Sequence, residues 1–352
     1  MKLASYVADG QACFGVVVGD GVLTLNQRLG HRYATLRDAL AGGGLAEIGR
    51  AAEAGKPDHQ LSEIEWLPVI PNPEKILCAG INYRSHAAET GRDVPKQPSM
   101  FIRLATTLTA HEGEMIRPSV SQSFDFEGEL AVVIGRGGRH IPVARALEHV
   151  AGYTCFVDGS VRDYQKISVT SGKNFPATGP LGPWIVTADE ITDPSRLTLV
   201  TRLNGQEVQK SGTDLLIHSV PQIIAFCSDF TPLATGDVIA TGNAGRGRSP
   251  PQSALVDAAG RRARGGDFQY RHAAGPRRGG EIAASREPGV KEGDWRYCCR
   301  GFFFGSSSKR AGVSGVRPSR WRASVSRPVN SQSPVAARRA NVSQRSVQSP
   351  RP

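Results

Sequence analysis

The feature that most constrains this chain is a change of character at residue 243. Residues 1–242 carry 21 Lys+Arg against 26 Asp+Glu, which leaves 22 and 6 of the chain's 43 and 32 for residues 243–352. The net charge of +11 is therefore −5 in front combined with +16 behind. The front holds regular apolar runs and can build a core. The back is dominated by Gly, Ser, Pro and Arg, and a stretch such as PVAARRANVSQRSVQSPRP has the composition of a disordered segment. Because the basic balance belongs to the tail, it carries no information about the ligands of the front.

Within the front, residues 1–70 alternate short apolar runs with Gly-Asp turns, as in FGVVVGDGVLTL, and continue into a helical pattern around LRDALAGGGLAEIGRAAEAG. That predicts a small N-terminal α+β lobe, and the Pro-rich LPVIPNPEK predicts a hinge after it. Residues 71–242 then form a second domain. KILCAGINY and GELAVVIG read as buried strands, EHVAGYTCFVDGS as a helix end running into a third, and RLTLVTRLNGQEVQ as a hairpin turned by Asn-Gly. VPQIIAFCSDF has the spacing of an amphipathic helix. Strands and helices do not alternate regularly, which argues against a Rossmann or barrel fold and for an α+β, mostly β, class.

The six cysteines show no CxxC spacing, so a zinc site or a disulfide framework is not expected, and Cys78 and Cys155 read as small core residues. No run approaches the roughly 20 apolar residues of a membrane span. The start, MKLASYVADGQACFG, lacks the apolar core of a signal peptide, so the expected location is cytoplasmic with no membrane partner.

Two patterns carry chemistry. In FDFEGELAVVIG, strand geometry sends Glu127 and Glu129 to one face with only Gly128 between them. Either that face meets solvent, or the two charges share a compensating cation. Asp158, ending the run YTCFVD, could join them; three oxygen donors without Cys or His suit Mg2+, Mn2+ or Ca2+ rather than zinc. In NYRSHAAETGRD, His86 and Glu89 lie one helical turn apart. A carboxylate that orients an imidazole can make it a general base, although such pairs on surfaces are commonly idle.

The order KILCAGINYRSHAAE, FDFEGELAVVIG, HVAGYTCFVDGSVRDYQ, GKNFPATGPLGPWIVTADEI, LVTRLNGQEVQ and LATGDVIATG resembles the fumarylacetoacetate hydrolase family over residues 71–242. The resemblance implies a mixed β-sandwich roll and makes Glu127, Glu129 and Asp158 ligands of Mg2+ or Mn2+. It implies a water-activating dyad of His86 and Glu89, and a cation, Lys173, near the metal. Arg162 and Gln165 match positions near the substrate, though a structural ion pair of Arg162 with Asp163 or another carboxylate fits as well. The implied substrate is a small dicarbonyl or 2-oxo acid, the implied assembly a homodimer. The implied reaction is hydrolysis of a carbon-carbon bond in a 2,4-dioxo acid, of the acylpyruvate or fumarylpyruvate kind, in aromatic or sugar-acid catabolism. Decarboxylation or isomerisation of a 2-oxo acid at the same site is the alternative.

After Thr241 and Gly242 the likeness stops: NAGRGRSPPQ stands where the family continues Thr-Pro-Gly-Gly-Val, and Asn243 replaces its threonine. Codons for Asn-Ala-Gly-Arg-Gly read one nucleotide later can spell that missing motif, and DFQYRHAA read likewise can spell Thr-Phe-Asn-Ile-Gly-Thr-Leu, the closing one. Residues 243–352 are therefore expected to be an out-of-frame translation without selected structure. With twenty Arg against two Lys, nucleic-acid binding by the tail is the competing reading, but interleaved aromatics are sparse there. A third expectation is an inactive product, since a domain without its closing strands has unpaired edges.

Overall fold

The computed structural model describes residues 1–53, 55–203 and 206–244, together with the backbone of one strand at 268–272. From the N-terminus run β1 (Lys2–Ala8), β2 (Gln11–Val18), β3 (Gly21–Thr24), three short helices α1 (Leu25–Arg28), α2 (Leu36–Gly42) and α3 (Gly44–Ala52), then β4 (His59–Gln60) and β5 (Glu65–Trp66). The second stretch holds β6 (Ile76–Gly80), α4 (Arg84–Thr90), β7 (Ser99–Arg103), β8 (Leu108–Thr109), β9 (Phe124–Asp125) and β10 (Gly128–Ile134). It continues with β11 (Val150–Val157), β12 (Ser160–Val161), α5 (Arg162–Ile167), α6 (Val169–Lys173), β13 (Gly179–Thr187), β14 (Leu197–Leu203) and β15 (Gln206–Gly212). The last elements are α7 (Val220–Phe230), β16 (Val238–Asn243) and β17 (Phe268–His272). The class is α+β and dominated by strands, as the patterning predicts.

Most strands join one twelve-stranded sheet, in the order β4-β3-β2-β1-β13-β11-β10-β16-β6-β7, with β5 added to β1 and β8 to β13. The pairs are antiparallel except β16 with β6 and β13 with β8. The N-terminal strands are continuous with the rest: β1 pairs with β13, and within the Pro-rich segment Val69 N–H donates to the Leu181 carbonyl at 3.1 Å. The expected hinge is therefore docked along the sheet.

β10 is buried at every residue because both sheet faces are covered. Leu130, Val132 and Ile134 enter one core with Ile223, Ile224 and Cys227 of α7. Ala131 and Val133 enter the other with Leu36, Leu40 and Ile48 of the N-terminal helices. Each such aliphatic side chain contributes about 1.5–3 kcal/mol by leaving water. α7 starts where its sequence says it should: Ser219 and Gln222 form a capping box, and Pro221 sits in the first turn, where no N–H is needed.

β14 and β15 form the expected hairpin, its Asn-Gly turn lying outside the described residues. The boundary at the tail differs in two details. β16 runs through Asn243 with Ala244 buried behind it, and β17, inside the segment expected to lack structure, pairs antiparallel with β14. FQYRH alternates residue types as a strand does, and it covers an edge of β14 that would otherwise be bare. The rest of the expected tail, with its arginines and Cys298 and Cys299, lies outside the described residues. Cys78, Cys155 and Cys227 are buried, and Cys13 is half-buried. Among the described residues no helix is long and apolar enough to cross a membrane.

Candidate functional site

The strand alternation at the head of β10 builds the site. Phe124, Phe126 and Leu130 turn into one core, which leaves Asp125, Glu127 and Glu129 on the opposite side. Asp158 follows the neighbouring strand β11, and its N–H donates to the Glu127 carbonyl at 2.8 Å. Glu127, Glu129 and Asp158 are 6%, 2% and 0% exposed, and each offers a carboxylate oxygen within 4.8 Å of the others. A solvent-facing Glu-Gly-Glu is thereby excluded.

Three buried carboxylates this close require positive charge. Lys173, 1% exposed at the end of α6, places Nζ 2.6 Å from Glu127 Oε2 and 2.6 Å from Asp158 Oδ2. Arg162 places Nη2 2.7 Å from Glu127 Oε1 and 2.7 Å from Asp125 Oδ2. Arg103, at the end of β7, forms a buried ion pair with the other oxygen of Asp158. Glu129 differs: it accepts the Gly242 N–H at 2.8 Å and, among the described residues, has no ion pair.

The consequences for protonation run in opposite directions. Burial works to raise the Glu127 pKa, but Lys173 and Arg162 outweigh it and hold the carboxyl well below the usual range. Burial, then Asp158 and Glu127, push Glu129 well above that range. Burial works against the Lys173 ammonium, yet Asp158 and Glu127 hold its pKa above the ordinary lysine value. Glu129 thus stands beside Glu127 and Asp158 with no cation paired to it among the described residues. An all-oxygen donor set with unmet negative charge fits a divalent cation such as Mg2+ or Mn2+.

His86 and Glu89 share one face of α4, with Nδ1 3.8 Å from Oε2, longer than a hydrogen bond. Nδ1 of His86 is buried without a hydrogen-bond partner. The imidazole lies near the acidic cluster, as the last and smallest of the named influences that lower the Glu127 pKa. Arg162 pairs with Asp125 and Glu127 rather than with Asp163, which accepts from Ser121 Oγ at 2.6 Å. Gln165 Oε1 accepts from Arg162 Nη1 at 2.7 Å and so orients the guanidinium.

Several site residues escape sequence reasoning. Arg103 donates to the Gly159 carbonyl at 3.0 Å and to Thr178 Oγ1 at 2.7 Å besides pairing with Asp158; its signal is an arginine closing the strand SMFIR. Gln209, 4% exposed on β15, accepts the Gly128 N–H at 3.1 Å and donates to the Ala244 carbonyl at 3.0 Å, bracing the peptide between the two glutamates. Asp125 belongs to the same alternation as Glu127 and Glu129, and its partner Arg162 lies 37 residues on. Asn243, buried, stands opposite Glu129 in the β10–β16 ladder.

Comparison with known proteins places this geometry. The sequence profile of the fumarylacetoacetate (FAA) hydrolase C-terminal family matches residues 75–268. Human mitochondrial oxaloacetate tautomerase FAHD2A is 37% identical over 242 residues, covering 66% of this chain and 77% of the relative. The crystal structure of 5-carboxymethyl-2-hydroxymuconate delta-isomerase from Mycobacterium smegmatis superposes with a TM-score of 0.56 at 30% identity, covering 70% of this chain and 88% of that one. Maleylpyruvate hydrolase from Sphingobium sp. SYK-6, solved in complex with manganese (II) ion and pyruvate, gives 0.60 at 28% identity, covering 70% and 89%. Hydrolase, isomerase and tautomerase thus occur among the relatives, and this chain belongs to the fumarylacetoacetate hydrolase family.

Proposed function

We propose that this chain is a divalent-metal-dependent hydrolase that cleaves a carbon-carbon bond in a 2,4-dioxo acid. The observation that carries the reading is the His86–Glu89 pair, 3.8 Å apart, with the buried Nδ1 of His86 left without a partner beside the acidic cluster. Catalytic pairs of this kind are commonly long before substrate binds and tighten in the complex.

Glu127, Glu129 and Asp158 would hold the cation, Mg2+ or Mn2+. When bound, it supplies a Lewis acid toward the keto and carboxylate oxygens of a 2-oxo acid. Glu89 orients the imidazole of His86, which takes a proton from water. The resulting hydroxide adds to the distal carbonyl, and the bond between that carbon and the neighbouring CH2 breaks. Lys173, kept charged by its two acids, stabilises the enolate oxygen of the departing fragment until a proton returns to carbon. Arg162, one-third exposed and oriented by Gln165, faces the site as the cation for a substrate carboxylate.

The test is acetylpyruvate cleavage by the purified chain with Mn2+ or Mg2+, followed by loss of the dioxo-acid absorbance. Activity is expected to vanish with a chelator. His86→Ala is expected to lower kcat by about 10²–10⁴-fold while Mn2+ binding persists. A second reading, tautomerisation of a 2-oxo diacid, draws on the 37% identity to oxaloacetate tautomerase. It requires only proton movement between carbon and oxygen, without water attack. Conversion of enol-oxaloacetate with no dioxo-acid cleavage would put this reading in place of the first.

A further inference from the structure

The helix that carries His86 and Glu89 has little to hold it. α4 begins without a side-chain cap and buries one residue, Ala87. Nδ1 of His86 and the hydroxyl of Tyr83, just ahead of the helix, are buried without hydrogen-bond partners among the described residues. The anchor lies at Asn82, 1% exposed. Its Nδ2 donates to the Thr241 carbonyl at 2.8 Å and to the His218 carbonyl at 2.9 Å. Its Oδ1 accepts the His218 N–H at 2.7 Å, and its own carbonyl accepts the Ile217 N–H at 2.7 Å.

The partners matter as much as the number of bonds. Thr241 directly precedes Gly242, whose N–H holds Glu129. Gly242 has φ +94, and a Cβ there would lie 2.8 Å from Asn82 Cβ and 3.1 Å from the Ala79 carbonyl, so the two segments touch backbone to backbone. Ile81, on the other side of Asn82, has φ 51, a left-handed conformation that a β-branched residue adopts at a cost of about 1–3 kcal/mol. Such a conformation persists only where its surroundings hold it, and the bonds of the Asn82 amide follow directly after it.

We propose that Asn82 is a positioning residue whose side-chain amide fixes the His86–Glu89 helix to the strand end that holds Glu129, and so sets the imidazole against the acidic cluster. Its catalytic consequence rests on the hydrolase reading; the positioning does not. Asn82→Asp keeps the shape and turns two donors into an oxygen facing two carbonyls.

The experiment is hydrogen exchange on the full chain with and without the substitution, alongside Mn2+ titration and steady-state kinetics. Residues 84–90 are expected to exchange about tenfold faster or more in Asn82→Asp, with β10 and β11 unchanged. Mn2+ affinity should stay within about threefold, and kcat should fall about 10–100-fold with a smaller change in KM. Unchanged exchange in residues 84–90, or acceleration spread equally over β10 and β11, would overturn the proposal. Asn82→Ser, which keeps one donor, decides the same way if the aspartate variant does not fold. If the wild type cleaves no dioxo acid, the hydrolase reading falls, while exchange still decides the role of Asn82.

Discussion

The two halves of the site are held by different means. Glu127, Glu129, Asp158 and Lys173 hang on β10, β11 and the end of α6, inside a sheet covered on both faces and cross-linked by buried ion pairs. His86 and Glu89 sit on a seven-residue helix that buries Ala87 and is tied down through the segment just ahead of it, where Asn82 bonds Thr241, Ile217 and His218. The contrast suits the proposed division of labour, in which cation ligands gain from rigidity, whereas a group that must admit substrate and then approach water gains from a tether that can give.

The largest break in this contrast is expected from Asp158→Ala. It would leave Arg103 and half of Lys173 buried without their partner, costing about 3–5 kcal/mol, and Mn2+ affinity should fall by about two orders of magnitude. Thermal melts with Mn2+ titration would check both. Retained stability would mean that the ion pairs do not brace the rigid half.

A pH titration sharpens the comparison within that half. Burial and the neighbouring acids raise the Glu129 pKa, so the folded protein keeps a proton that the unfolded chain gives up. Metal-free protein should therefore lose stability as pH rises from the ordinary carboxylate range through the raised folded value. A cation needs the ionised form, so binding should release this proton, and affinity should rise by up to about tenfold per pH unit below that value. Calorimetry in buffers of different ionisation enthalpy would detect the proton; its absence would show that Glu129 is already ionised.

The smallest effect is expected at the joint between the halves. Gly242→Ala places a methyl against Asn82 at φ +94, costing about 1–3 kcal/mol. The melting temperature should drop by a few degrees, with faster exchange in α4. An unaltered melt would mean that the close approach at Gly242 is not needed.

What was legible in the sequence was what is local. The alternation of Glu127 and Glu129, the one-turn spacing of His86 and Glu89, and the amphipathic spacing of α7 all follow from residues a few positions apart. Asp158 stood out as the carboxylate that ends the run YTCFVD, and resemblance then singled out Lys173, whose own surroundings in sequence are ordinary. Arg103 and Asn82 stayed hidden because their partners are remote: Asp158 is 55 residues from Arg103, and Thr241 is 159 from Asn82. The pairing of β1 with β13 was equally beyond reach, since neither strand encodes the register of the other. Burial, which excludes a solvent face at Glu127, becomes readable only when the neighbours are in place.

The position of β16 has a consequence for how the molecule comes together. This late segment is inserted between β10 and β6, so the early part of the chain has a slot in the middle of its sheet until residues 238–243 emerge. A nascent chain stalled before that point would expose two facing, unsatisfied strand borders rather than a frayed end, a form prone to capture its neighbours. The six residues that finish the Glu129 cradle are thus also the piece that joins the β10 and β6 sides of the sheet.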